Sequence, residues 1–256
     1  MDPRAGGEGL GAAVQTILDG IEWLTTADNW GGRNGIGRRM LQHLWYSFVA
    51  TVAAVVIALP IGLAIGHTGK GRFLVANLAG LWRAIPTIGV VMLIFRWKPL
   101  SLWPVIAALV VLAIPPIVLN TVAGLDSVTA DVKDAARGMG LTGRQALWQV
   151  EIPNGLPLIL AGIRSAANQV IATATVAGLV GLGSLGYFIF LAGRTQNYAV
   201  MAGASIAIII LVLTVEAAFA LLQRALVSPG VRQRSSRRIR AAGTLPPVQP
   251  AAEDSS

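Results

Sequence analysis

Five stretches of this chain, at about 44–66, 73–95, 103–125, 163–182 and 201–222, run for some twenty residues with few charges. An α-helix rises about 1.5 Å per residue, so about twenty residues reach about 30 Å, the thickness of a bilayer's hydrocarbon core. Inside lipid every backbone N–H and C=O must find a partner within the protein, so runs of this kind fold as helices. The expected fold class is therefore an all-α integral membrane protein with about five transmembrane helices. Composition agrees: 54% of the 256 residues are hydrophobic and mean hydropathy is +0.66, more than a soluble domain carries.

Charge and chemistry narrow the function classes. A net charge of +8 could suggest nucleic acid, but the basic residues sit between apolar runs and in one tail, which positive loops on the cytoplasmic side explain better. With no Cys, disulfides, thiol nucleophiles and Cys-ligated metals are excluded, and two His, His43 and His67, are too few for most metal sites. Two glycine-rich turns resemble phosphate loops and fail as such. In HTGKGR (67–72), Ala64 stands where the first Gly is needed and Gly71 replaces the Ser or Thr that would hold magnesium; GLGSLG (181–186) follows no strand. A lipid-modifying membrane enzyme would need acid clusters, and Asp131 and Asp134 have no His nearby. A stand-alone channel or secondary carrier is the other rival class.

Residues 1–43 form an N-terminal extension with no apparent cleavable signal. Leu10, Val14, Ile17, Leu18, Ile21 and Leu24 fall at helical intervals, which predicts an amphipathic helix either in the membrane interface or packed on the bundle. Residues 44–225 form the membrane domain. From 226 to 256 the chain is polar, basic and Pro-rich, which predicts a disordered tail whose 232–240 stretch rests on anionic lipid.

Several residues inside the runs need an explanation. Arg83 and Pro86 interrupt the second run, and an arginine at that depth costs several kcal/mol unless it faces protein or water. Asn120 follows Pro115 and Pro116 by one turn and can satisfy a backbone group that they free, its expected job. Ser165, Gln169 and Thr173 share one face of the fourth run, placing them on a water-lined path or in helix-to-helix hydrogen bonds. With Arg83, Pro86 and Asn120 they make up the candidate translocation path. Glu216 needs a partner, and Arg83 or Arg164 qualify by charge.

The polar insert 131–153, DVKDAARGMGLTGRQALWQVEIP, stands apart from the runs around it. Val132, Ala135, Ala136 and Met139 make a narrow apolar stripe at i, i+3, i+4, i+7. Gly140 is expected to stop this helix, Thr142 to cap a second over about 143–151, and Pro153 to forbid its continuation. The helix pair offers Leu141, Leu147, Trp148 and Val150 to something else; the alternative is a solvated surface helix pair.

This insert resembles the cytoplasmic loop of ABC importer permease subunits: Glu-Ala-Ala, three residues, Gly, nine residues, an aliphatic, any residue, Leu and Pro. Here Asp134-Ala135-Ala136, Gly140, Val150, Ile152 and Pro153 match every interval, with Asp for Glu and Ile for Leu. Residues 152–186 look more narrowly like permeases for glycine betaine, choline, carnitine and related osmoprotectants; a permease for methionine, phosphonate or another small solute is the runner-up. The resemblance implies that loop 126–155 carries a coupling helix seated in a groove of a separate ATPase subunit. Asp134, Ala135, Ala136, Gly140, Leu141, Arg144, Leu147, Trp148, Val150, Ile152 and Pro153 would form that contact. It also implies two permease chains, identical or paralogous, two ATPase subunits and an extracytoplasmic substrate-binding protein. ATP and Mg would be used by the partner. This chain would bind no cofactor or metal and catalyse nothing itself.

Counting Lys and Arg sets the orientation. Five spans with the N terminus outside place Lys70, Arg72, Lys133, Arg137, Arg144, Arg164 and the six arginines from Arg224 onward inside. The other side then receives seven, with Arg83 in the membrane. The insert and the C terminus are thus expected in the cytoplasm of a multi-pass cell-membrane protein, although Arg33, Arg38 and Arg39 run against the rule.

Overall fold

Small residues decide how the helices of this chain meet. The computed structural model describes residues 3–73, 75, 77, 89, 92, 93, 96 and 101–226. The second apolar run, with Arg83, Pro86 and Trp97, and the tail with its 232–240 stretch lie outside the described residues, apart from the isolated positions just given.

Helix α1 spans Pro3–Thr25 and is followed by a 3-10 turn at Ala27–Trp30. Helix α2 spans Ile36–Thr68, and Gly69, at φ +73°, closes it by donating to Ile65 O. Helix α3 spans Leu102–Asp126. The insert forms α4, Ala130–Gly138, and α5, Gly143–Ala146, which passes through a π-helical turn at Leu147–Glu151 into α6, Ile152–Thr173. Two short helices, α7 (Val176–Leu179) and α8 (Gly186–Thr195), precede the last, α9 (Tyr198–Leu226). Among the described residues the structure is all-α. Among those residues four helical segments are long and apolar enough to cross a membrane: Ile36–Thr68, Leu102–Asp126, Gly143–Leu179 and Tyr198–Leu226.

The apolar effect cannot hold helices together in lipid, so close backbone approach and van der Waals contact must. A Cβ on Gly62 would come within 2.7 Å of Thr121, and one on Gly66 within 3.0 Å of Leu125, so α2 and α3 touch through glycine. Gly124 and Gly155 oppose each other between α3 and α6, where a Cβ on either would meet the other's backbone at 2.8 Å. One core joins these three helices: Ala50, Ala54 and Ala58 of α2, Leu109 and Ile117 of α3, and Ala166 and Val170 of α6. His43, fully buried, bonds through Nε2 to Ile171 O at 2.8 Å and ties α2 to α6. A second core gathers Ile36, Leu185, Phe188, Ala204 and Leu211 around α8 and α9. The opposite faces of α2 and α9, with Trp45, Phe48, Val56, Ile209 and Leu213, remain exposed, as lipid-facing surfaces do.

The N-terminal helix packs on α9 where Gly20 meets Ala199, Ala202 and Gly203, while Val14, Ile17, Leu18 and Ile21 stay about half exposed.

Two boundary expectations are corrected. Pro153 does not end the second helix of the insert. The preceding turn widens so that Ile152 N–H reaches back five residues to Leu147 O, and the proline, which has no N–H to place, enters the first turn of α6. The fourth span consequently begins at the insert, not near residue 163, and it breaks after Thr173. There Gly178 and Gly186 bring α7 and α8 into backbone contact, and Gly181 and Gly183, at φ +77° and +98°, reverse the chain. The GLGSLG stretch is that reversal, and Tyr46 Oη donates to Leu182 O at 2.9 Å to hold it on α2.

Candidate functional site

At one end of the bundle the insert folds into two helices set at a sharp corner. Asp131 lies in the first turn of α4 and Arg137 in the last, signs that suit the helix dipole. The corner is built by the chain's own backbone. Gly140 sits at φ +82°, where its N–H donates to Arg137 O and that of Leu141 to Ala136 O, the paired bonds that close a helix through a left-handed residue. Thr142 then starts α5 with a reciprocal cap: its Oγ1 accepts from Gln145 N–H, and its own N–H donates to Gln145 Oε1 at 2.8 Å. The stop at Gly140 and the cap at Thr142 agree with the sequence; the part played by Gln145 was not anticipated there.

The expected contact residues share this corner. Trp148 is 59% exposed, an indole surface that an isolated chain has no reason to leave in water. Met139, assigned to the apolar stripe of the first helix, is equally free at 72%. Leu141, Leu147, Val150 and Ile152 are half-buried, Arg144 and Pro153 are exposed, and Ala136 and Ala146 pack inward. Ala135 is exposed, and Asp134 spends its carboxylate on Arg137 at 3.2 Å, a solvated pair of small energetic weight. The exposed residues of the hairpin thus include apolar Met139 and Trp148 together with polar Arg144 and Asp134.

What anchors the hairpin to the bundle was missed from the sequence. Glu151, the last residue of the π-helical turn, is only 6% exposed at its side chain, and His67 Nδ1, in the last turn of α2, donates to its Oε2 at 2.8 Å. The other face of the imidazole lies against Gly143, where a Cβ would stand 3.5 Å from Nε2. Arg72 bonds Asp126 at 2.5 Å, linking the turn after α2 to the end of α3. These two pairs bridge 84 and 54 residues of chain, and no local pattern signals either one. A hollow of 330 Å³ lies beneath, edged by Lys133, Arg137 and Arg72.

Of the candidate path residues, Asn120, Ser165, Gln169 and Thr173 are described, while Arg83 and Pro86 lie outside the described residues. Asn120 donates through Nδ2 to Pro116 O at 2.8 Å and lies against Gly162; the carbonyls that Pro115 and Pro116 free are those of Val111 and Leu112, four residues earlier, so this bond is not the expected one. Ser165, Gln169 and Thr173 share one face of α6, exposed or half-exposed, beside the buried stripe of Gly162, Ala166 and Val170. Glu216 of α9 is paired with Arg164 of α6 and accepts a second hydrogen bond from Asn168 at 2.6 Å. Of the two arginines that charge alone allowed, Arg164 is a partner; Arg83 lies outside the described residues. Among the described residues no group of His, Cys, Asp and Glu is placed to hold a metal ion.

Residues 58–232 match the family model of the binding-protein-dependent transport system inner membrane component. The chain belongs to this family. Such components are permeases, and this one is a multi-pass membrane protein. It is 33% identical over 192 residues to the carnitine transport permease protein OpuCB of Listeria monocytogenes, covering 75% of this chain and 88% of that one. Against the glycine betaine/carnitine/choline transport system permease protein OpuCB of Bacillus subtilis, identity is 28% over 191 residues, with the same shares of the two chains covered. The permease fold is shared with the MetNI methionine ABC transporter in inward-facing conformations, at a TM-score of 0.67 and 24% identity, over 75% of this chain and 96% of that one.

Proposed function

We propose that this chain is the membrane-spanning permease subunit of an ATP-driven importer that carries osmoprotectants such as glycine betaine, choline or carnitine into the cytoplasm. The substrate class rests on the likeness to carnitine and glycine betaine permeases, and the mechanism rests on one observation, the exposed corner centred on Trp148. An apolar indole held in water by a capped, glycine-stopped hairpin fits a groove on another protein. In this reading the groove belongs to a separate ATPase subunit, two copies of which pair with two permease chains, identical or paralogous. An extracytoplasmic binding protein delivers the solute. The hairpin end is cytoplasmic in this reading, the side that the Lys and Arg count favours.

Trp148 and Leu147 are then buried anchors, and Arg144 and Asp134 form the polar rim. ATP-driven closure of the partner moves the hairpin, which is continuous with α6 and joined to α2 through His67, so both spans receive the displacement. The nucleotide must shift a balance between two global states, and a 10⁴-fold change in their ratio needs about 5.5 kcal/mol of differential binding.

Purified complex carrying Trp148→Ala or Gly140→Asp should stay membrane-inserted while substrate-stimulated ATP turnover collapses; unchanged coupling in both variants refutes the docking role. Uptake of labelled betaine, carnitine and choline under high salt, with and without this gene, tests the cargo. Equal uptake in the two strains removes the osmoprotectant assignment.

A further inference from the structure

The fourth and last spans carry opposite charges inside the membrane. Arg164 lies about 18 Å along α6 from Ile152, and Glu216 stands about 9 Å inside the end of the last apolar run, at 1.5 Å per residue. The two side chains are paired, and Asn168, one turn beyond Arg164, donates to the other carboxylate oxygen at 2.6 Å. The arginine and the glutamate nevertheless remain 34% and 31% exposed, and Asn168 Oδ1 has no partner among the described residues. Ions at such a depth face protein or water, not lipid.

The helix around the pair is built for a wet surface. Over 161–172 one side of α6 carries Ala161, Arg164, Ser165, Asn168, Gln169 and Ala172, all exposed or half-exposed, and nothing apolar larger than alanine. The outward sides of α2 and α9 carry Trp45, Phe48, Val56, Ile209 and Leu213 instead. A hydrogen-bond network that protein leaves open, beside ions that stay a third exposed, suits water, which supplies the missing partners.

The charges also select what can stop there. A lone ion would repel one end of a zwitterion, whereas a neighbouring cation and anion match both ends and leave the net charge of the site at zero. Glycine betaine and carnitine each carry a carboxylate and a quaternary ammonium on one molecule. Choline carries the ammonium and an alcohol. Planar, bidentate recognition by guanidinium suits the carboxylate of the first two and has no counterpart in the third.

We propose that Arg164 and Glu216 form a step on the translocation path that takes a zwitterionic solute by exchange of ionic partners, a proposal that rests on the importer reading above. The solute's carboxylate turns to the guanidinium. Its ammonium, which has no N–H, settles on Glu216 Oε1 by charge alone, while Oε2 keeps its bond from Asn168. Each ion faces an opposite charge before and after the exchange, so neither is stranded, the condition that makes breaking a buried pair costly. Arg164 thereby sorts carboxylate-bearing cargo, and Glu216 serves every quaternary amine.

The test uses the complete importer, with its ATPase and binding protein, in proteoliposomes, and labelled glycine betaine, carnitine and choline, with uptake expressed per inserted permease. Arg164→Gln should cut uptake of glycine betaine and carnitine at least about tenfold, the loss of one charge-assisted contact, and leave choline uptake near wild type. Arg164→Lys, which keeps the charge and loses the fork, should fall between. Equal loss for all three solutes, as a merely structural role would give, or no loss for any, overturns the proposal. A second measurement does not depend on the charge variants. The chain has no Cys, so Ser165→Cys places its single thiol one residue from Arg164. In the assembled importer that thiol should react with a water-soluble methanethiosulfonate, located by mass spectrometry, and glycine betaine supplied with binding protein and ATP should slow the reaction. A thiol that stays unreactive, or whose reaction the delivered solute does not slow, overturns the proposal. Should the wild-type importer take up none of the three solutes, the osmoprotectant assignment falls, and the thiol's reactivity alone decides whether the pair lines a path.

Discussion

Replacing His67 by Ala should loosen the hairpin from the bundle without unfolding the spans. Glu151 would be left with a side chain only 6% exposed and no partner among the described residues. A buried acceptor stripped of its donor costs about 1 to 3 kcal/mol, and more when it is charged. His67 itself is 28% exposed, so water can follow the deletion to the carboxylate, which places the expected cost at about 2 kcal/mol. At about 1.4 kcal/mol per decade, that is roughly a thirtyfold increase in the open population of the hairpin. Amide hydrogen exchange of the purified permease complex should show faster exchange across 143–155, while amides of α3 at its contact with α2 keep their protection. Glu151→Ala should give an effect of similar direction, and His67→Ala/Glu151→Ala should be less than additive, because the second change removes the stranded charge left by the first. Unchanged exchange at 143–155 in His67→Ala, or strict additivity in the double variant, would refute the idea that this pair is the tether.

Gly155→Leu places a side chain where even a Cβ lies 2.8 Å from the backbone of Gly124, so α3 and α6 must separate; thermal stability of the purified protein should fall sharply, while Leu158→Ala on an exposed face changes it little. Arg164→Leu strips Glu216 of its cation inside the apolar run, a penalty of the order of 2.5 to 3.5 kcal/mol, and Arg164→Leu/Glu216→Leu should recover much of the lost membrane level on immunoblots. Thr142→Ala removes half of the reciprocal cap on α5, costing about 1 kcal/mol, and should raise exchange in the hairpin less than His67→Ala does.

Local chemistry carried much of the hairpin into view from the sequence alone. Gly140 at a helix end and Thr142 before a polar turn act over three or four residues, and those interactions survive in any tertiary setting. Pro153 misled for an equally physical reason. A proline forbids the regular i to i−4 bond, but a single widened turn gives the chain another way through, and nothing local distinguishes a stop from that bypass. The same bypass moved the start of the fourth span from about residue 163 back to the insert.

The long apolar runs, the absence of any phosphate cradle and the spacing from Asp134 to Pro153 were enough to make this chain a helical membrane permease with a polar insert, because hydrogen bonding in lipid permits few alternatives. The arrangement of its glycines between helices, the hydrogen bond between His67 and Glu151 and the choice of Arg164 for Glu216 were decided only in three dimensions. Those contacts join residues dozens of positions apart, and their energy depends on burial and approach distance, quantities that exist only once the helices have packed.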